Sequence, residues 1–258
     1  MLRPRVIPCL LLKDKGLVKT TRFEDPRYVG DPINAIKIFN EKNADELIFL
    51  DINAAAGGWR PQLDVIEKIA TECLMPVCYG GGINNIETIS RILSIGIEKI
   101  SISSHAVKSP YFIKDASREF GSQSIVVCLD VKKTGEGRYE VVTGNAKERT
   151  KIEPLEFALK MQDMGAGELL INSVDRDGTM SGYDIELIRT IAESVKMPVI
   201  ACGGAGSLND IQEVIVKGKA SAAAVGSLFV FYGRLRAVLI NYPKQEELES
   251  LFSWCRKV

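Results

Sequence analysis

The sequence predicts an α/β fold, a closed (β/α)8 barrel assembled from two similar halves. Three observations carry this. Eight short apolar runs alternate with amphipathic stretches along 258 residues. The period of internal similarity is about half the chain. The length is that of one such barrel, which routinely fills about 250 residues as a single unit. One domain is therefore expected over residues 1–258.

The apolar runs are 6–12, 47–52, 76–79, 99–103, 125–131, 169–174, 198–202 and 222–225. Short, continuously apolar segments read as parallel strands buried on both faces. Between them, 34–42, 63–72, 86–94, 111–119, 155–164, 185–194 and 208–216 carry apolar residues at helical spacing. Asn84 and Ser207 are candidate N-caps, with Glu87 and Asp210 three positions on, as in a capping box. Alternation alone would also suit an open sheet; the repeat chooses the barrel. "ADELIFLDI" (44–52) meets "AGELLINSV" (166–174), and "MPVCYGGGINNIETI" (75–89) meets "MPVIACGGAGSLNDI" (197–211). "CLLLKDKG" from Cys9 meets "CLDVKKTG" from Cys128, and Gly80 is paired with Gly203. The longest irregular segments are 13–31 and 132–150, at the same repeat position. "TGEGRYEVVTGN" in the second reads as a small hairpin. Loops at this position suggest a lid over the mouth.

Composition excludes several functions. Thirty-three basic and thirty-three acidic residues cancel, which removes a net drive toward nucleic acid or a membrane surface. The single histidine, His105, rules out a zinc site built on several histidines, and any Ser-His or Cys-His dyad would have to use it. Cys9, Cys73, Cys78, Cys128, Cys202 and Cys255 form no C-x-x-C pair and read as reduced, mostly buried thiols. No apolar run approaches membrane-spanning length, and no signal segment is evident. A cytoplasmic protein with no metal and no cofactor is expected.

Gly80-Gly81-Gly82 and Gly203-Gly204-Ala205-Gly206 each end a strand and open a helix. Such turns let backbone N–H groups approach an anion. Each is followed one strand later by small polar residues: Ser101, Ser103 and Ser104 in one half, Gly226 and Ser227 in the other. Two repeat-related turns suggest a ligand with two phosphates, or two anionic ends, across the barrel mouth. Asp51, Asp130, Asp175 and Asp177 stand at or just beyond strand ends. Asp130 interrupts "IVVCLDV" and is the candidate general acid or base; each of the others could equally cap the next turn. The repeat counterpart of Asp130 is Leu11, so a two-carboxylate mechanism is missing at this pair. Arg5, Glu46, Lys99 and Glu168 stand at the opposite strand ends, where paired charges could simply close the barrel bottom. His105 is either a ligand contact or an uninvolved helix-start residue.

The stretches "DELIFLDI" (45–52), "GGGI" (80–83), "FGSQSIVVCLD" (120–130), "SVDRDGTMSGYD" (173–184) and "GGAG" (203–206) resemble the cyclase subunit of imidazole glycerol phosphate synthase, the HisF family of histidine biosynthesis. The resemblance spans nearly the whole chain. It implies a barrel docked by its N-terminal face on a separate, HisH-like glutaminase, whose ammonia passes through the barrel. It makes Arg5, Glu46, Lys99 and Glu168 the entrance of that passage. It makes Lys19, Asp51, Gly81, Gly82, Ser103, Ser104, Asp177, Gly178, Gly203, Gly204, Gly226 and Ser227 substrate and phosphate contacts, and Asp130 catalytic.

Four positions depart from the family pattern. Leu11 replaces one of two catalytic aspartates, Ser103 and Ser104 replace an asparagine and a threonine, and Asn172 replaces a threonine. An intact ammonia supply with half the acid–base pair lost resembles the HisF-like branch found with surface-polysaccharide genes. There the acceptor would be a phosphorylated or nucleotide-linked sugar and a further partner a sugar amidotransferase. The alternatives are a genuine histidine-pathway cyclase and a non-catalytic scaffold that activates the glutaminase.

Overall fold

A computed structural model describes residues 3–57 and 60–253. Eight parallel strands close on themselves: Arg5–Lys13, Leu47–Asp51, Val77–Gly80, Lys99–Ile102, Ile125–Lys133, Glu168–Ser173, Val199–Cys202 and Ala222–Val225. They pair in chain order. The eighth returns to the first through Arg5↔Ala222 and Ile7↔Ala224. This is the (β/α)8 barrel, with helices on its outer surface. A closed parallel sheet leaves no edge, so each strand must be apolar on both faces. The buried residues divide accordingly. One face, including Leu10, Phe49, Tyr79 and Val127, packs under the helices. The other, including Ile7, Ile48, Val126, Leu170 and Ile200, fills the barrel interior.

The helices Leu63–Glu72, Ile86–Ser94 and Leu208–Val216 coincide with the sequence expectation. Ser207 caps the last by accepting from the Asp210 N–H, whereas Asp210 itself accepts from Gly206 and not from Ser207. The cap before Ile86 is Asn85, which accepts from the Thr88 N–H; it is not Asn84. Asn85 and Ser207 share nearly the same extended backbone (φ −152° and −153°). That places the second half 122 positions after the first at this point. Gly80 therefore matches Cys202, and Gly81 matches Gly203.

The segments expected to be irregular are β-structure. Gly16–Thr21 and Glu24–Gly30 extend the first strand as an antiparallel ribbon (Leu11↔Val18). Tyr139–Thr143 and Glu148–Arg149 extend the fifth in the same manner (Asp130↔Val142). The expected second hairpin thus uses the barrel strand itself as its first arm. The hairpin expected in the second segment is present, whereas the first ribbon forms where only an irregular segment is expected; its outer arm, Glu24–Tyr28, is exposed throughout and carries no apolar alternation.

Candidate functional site

The strands deliver their C-terminal ends to one cavity of about 430 Å³. Its wall includes every residue expected at the mouth: Lys19, Asp51, Gly81, Gly82, Ser103, Ser104, Asp130, Asp177, Gly178, Gly203, Gly204, Gly226 and Ser227. Leu11 and His105 also line it; Asp175 does not. Asp175 instead accepts from the Lys133 N–H at 2.6 Å, fixing the base of the second ribbon.

Asp130 lies at the floor. Inward positions alternate along a strand, so Ile7, Cys9 and Leu11 on the first strand correspond to Val126, Cys128 and Asp130 on the fifth. The carboxylate accepts from Ser103 Oγ at 3.1 Å and from Asn172 Nδ2 at 3.4 Å, with the Cys128 thiol at 3.7 Å. Burial outweighs these hydrogen bonds and raises its pKa to about 6. A carboxyl that titrates near neutral pH can both take and give a proton. Across the cavity Leu11 offers only carbon.

Asp51 and Asp177 do the work of turn fasteners. Asp51 Oδ1 accepts the N–H groups of Asn53 and Ala54, and its other oxygen accepts from the Tyr79 hydroxyl. Asp177 accepts from Thr20 Oγ1 at 2.8 Å, clamping the first ribbon to the loop after the sixth strand. Both carboxylates still line the cavity.

The glycine turns are forced by geometry. Gly81 (φ +122°) and Gly204 (φ +111°) occupy conformations that side chains disfavour, and added methyl groups would overlap the carbonyl oxygens of Asp51 and Gly182. Lys19 is buried with its ammonium group directly against Gly226, so a methyl group there would displace the lysine. Three polar atoms around the cavity are buried and unpartnered: Ser101 Oγ, Asn172 Oδ1 and Ser227 Oγ. Orphaned buried polar atoms are rare, and those facing a cavity are available to a ligand.

Sequence reasoning missed Lys108, Asn145 and Lys147, which also line the cavity. Two of them sit on the second ribbon. Its place in the repeat, next to a strand end, was the available signal. His105 packs edge-on against Phe112, 4.7 Å between ring centres, with no serine or cysteine bonded to it. Burial, then Lys108, lowers its pKa, so the ring is neutral at pH 7.

At the other end of the barrel the four charges form a closed circuit. Arg5 reaches Glu46 at 2.5 Å and Glu168 at 2.8 Å; Lys99 reaches the same two at 3.1 Å and 3.2 Å. Each cation bridges both anions. Between circuit and cavity the interior is Ile7, Ile48, Cys78, Val126, Leu170, Ile200, Ala222 and Ala224, with the Ser101 hydroxyl among them. Cys9, Cys78, Cys128 and Cys202 are buried free thiols and Cys73 is half-buried; Cys255 lies outside the described residues. Among the described residues no helix is long and apolar enough to cross a membrane, and no cluster of three or more His, Cys, Asp or Glu is arranged to hold a metal ion.

The family model of histidine biosynthesis proteins matches residues 5–236. A Pseudomonas aeruginosa protein provisionally named imidazole glycerol phosphate synthase subunit hisF2 is 50% identical over 249 residues, covering 96% of this chain and 99% of that one. A Leptospira borgpetersenii protein provisionally named imidazole glycerol phosphate synthase subunit HisF is 49% identical, covering 98% and 100%. The imidazole glycerol phosphate synthase subunit HisF of Alkaliphilus metalliredigens is 43% identical over 229 residues, covering 89% and 91%. With the barrel, the paired glycine turns and these matches over nearly its whole length, the chain belongs to the HisF family of imidazole glycerol phosphate synthase subunits.

Proposed function

We propose that this chain is the ammonia-accepting synthase subunit of a glutaminase-coupled complex whose acceptor is a sugar destined for surface polysaccharide. The observation that carries the reading is the pairing of an intact charged circuit with a half-empty acid–base site. Arg5, Glu46, Lys99 and Glu168 are all present and mutually bonded, while Leu11 faces the cavity where the repeat puts Asp130 in the other half. A separate HisH-like glutaminase docks on the N-terminal face. The apolar interior suits neutral ammonia, which loses little hydration on entering, and excludes ammonium, whose burial is costly. Delivery inside the protein keeps ammonia concentrated and unprotonated. At the mouth, Asp130 holds or moves one proton, the glycine turns and Lys19 hold phosphate, and a sugar amidotransferase joins the delivered ammonia to the sugar acceptor.

The similarity to the Alkaliphilus HisF favours a second reading, a histidine-pathway cyclase that works with Asp130 alone. Loss of a general acid or base costs about 10²–10⁴ in rate. Purified protein supplied with ammonia and the histidine-pathway substrate separates the two. Turnover within about tenfold of an ordinary cyclase, abolished by Asp130→Asn, would overturn the polysaccharide reading. Turnover lower by 10² or more, in a protein that still stimulates its glutaminase, supports it.

A further inference from the structure

The internal repeat supplies a comparison within one molecule. The short helices Ser104–Lys108 and Ser227–Val230 start from N-caps with matching backbone: Ser103 at φ −111°, ψ −91° and Gly226 at φ −103°, ψ −88°. In the first half the next helix, Tyr111–Phe120, begins seven positions after Ser104; in the second, Gln245–Leu251 begins eighteen positions after Ser227. Part of the extra length is a hairpin. Phe231–Tyr232 pairs antiparallel with Ala237–Val238 around a tip of Gly233, Arg234, Leu235 and Arg236. Closing the barrel does not require it, since the matching place in the first half has none.

The hairpin stands at the rim of the mouth. It follows the helix that opens with Ser227, a residue of the cavity wall. Arg236 donates to the carbonyl of Gly178, another wall residue, at 3.0 Å. Arg27 and Arg236 lie over the Phe231 ring, which joins the hairpin to the first ribbon. Its outer surface is apolar: Tyr232, Leu235, Val238 and Leu239 are exposed, Leu235 to 91%. These are four of the nine exposed large apolar side chains among the described residues, gathered within positions 232–239. Such residues standing singly are ordinary, whereas a cluster marks an interaction surface. The charge of the hairpin has one sign. No acidic residue occurs over 214–245, and Arg234 at the tip is exposed with no partner among the described residues. The neighbouring ribbon is balanced, with Arg22 and Arg27 beside Glu24 and Asp25.

Charge and position select the occupant. A second copy of this chain would set arginine against arginine. A lipid surface would lie across the mouth and shut out a sugar. A protein with an apolar recess rimmed by carboxylates matches both the apolar cluster and its cations. Seated on the rim, it also keeps emerging ammonia out of water, where it would be protonated. We propose that the 231–239 hairpin is the docking surface for the protein that consumes the ammonia, with Tyr232 and Leu235 entering an apolar recess and Arg234 meeting a carboxylate at its edge. This rests on the reading that ammonia leaves by the mouth for an amidotransferase. It adds the geometry of the assembly: the glutaminase at one end of the barrel, the ammonia consumer at the other, held by an element that the barrel itself does not need.

The test is calorimetric titration of the full chain, with its glutaminase bound, against the purified sugar amidotransferase, alongside glutamine-driven amidation of the sugar. Leu235→Asp is expected to weaken binding at least tenfold. Arg234→Glu should weaken it at least threefold and flatten its salt dependence. Both side chains are exposed, and unchanged stimulation of the glutaminase by each variant shows that the barrel is intact. Glutamine-driven amidation at limiting amidotransferase should fall in step with binding. Native affinity in either variant overturns the docking surface and leaves the ammonia-delivery reading standing. Failure of the native chain to bind overturns the docking surface, and failure of glutamine-driven amidation as well overturns the delivery reading with it. Dimerisation of the native chain, or its flotation with phosphatidylglycerol vesicles, that is lost in Leu235→Asp gives the hairpin another occupant and overturns the proposal.

Discussion

Asp130 and Leu11 occupy matched inward positions, and their chemistry sets the behaviour of the mouth at the level of single side chains. Burial raises the Asp130 pKa to about 6, above its unfolded value near 3.9. Between these values the folded state binds the extra proton. The Asp130 contribution to stability is therefore most favourable below about pH 4, falls as pH rises through 4 to 6, and levels off above. Asp130→Asn abolishes this dependence. Asn172 can rotate its unpartnered Oδ1 toward the new amide, so the variant should match the native chain at pH 4 and exceed its stability at pH 7.5, by up to about 3 kcal/mol from the size of the shift. Thermal denaturation at the two pH values reads this; equal melting shifts at both would count against a strained carboxylate. Leu11→Asp places a second carboxylate at the same mouth. It should raise the Asp130 pKa further by like-charge repulsion, moving the basic limb of stability to higher pH. If Leu11 is the lesion that silences histidine-pathway cyclisation, the same variant should raise that turnover by at least tenfold.

At the level of elements, caps and glycine turns decide where strands stop and helices begin. Asn85 accepts the Thr88 N–H, and the exposed Asn84 caps nothing. Asn85→Ala should cost about 1 kcal/mol, whereas Asn84→Ala should stay within about 0.5 kcal/mol; urea midpoints distinguish them. Gly178 is more demanding. Its φ of +69° and the Thr20 carbonyl beside it leave no room for a methyl group. Gly178→Ala should therefore push the first ribbon away from the mouth. Asp177 and Thr20 share that clamp, so the variant should weaken phosphate binding at the Lys19 end along with stability.

Across the whole molecule, the charged circuit and the mouth lie at opposite ends of one closed sheet. Glu46 is almost fully buried and is bonded by both cations. Removing one cation leaves it half-compensated, which typically destabilises by several kcal/mol when no cation remains and by less when one does. Lys99→Ala should thus fold and retain Arg5 against both carboxylates. It should reduce glutamine-driven activity with the glutaminase present far more than activity driven by added ammonia. Equal loss of both activities would show that the circuit merely closes the barrel.

The sequence by itself determined the barrel and the position of the glycine turns and Asp130 at its mouth. Two-sided burial demands apolar runs of strand length, as in Val199–Cys202 and Ala222–Val225, and a half-chain repeat demands that glycine turns appear twice. Such local, periodic requirements are written in residue order. Tertiary structure alone decided what each polar side chain does there. Asp51 caps a turn because Asn53 and Ala54 fold back on it. Asp130 titrates near pH 6 because desolvation outweighs the hydrogen bonds it accepts from Ser103 and Asn172. Lys108 enters the wall from the end of a helix of five residues and Lys147 from a ribbon tip, both too short to show a periodicity. Burial and proximity are properties of the packed barrel; residues 39 positions apart, such as Lys108 and Lys147, reach one cavity wall only when the fourth and fifth strands pair side by side.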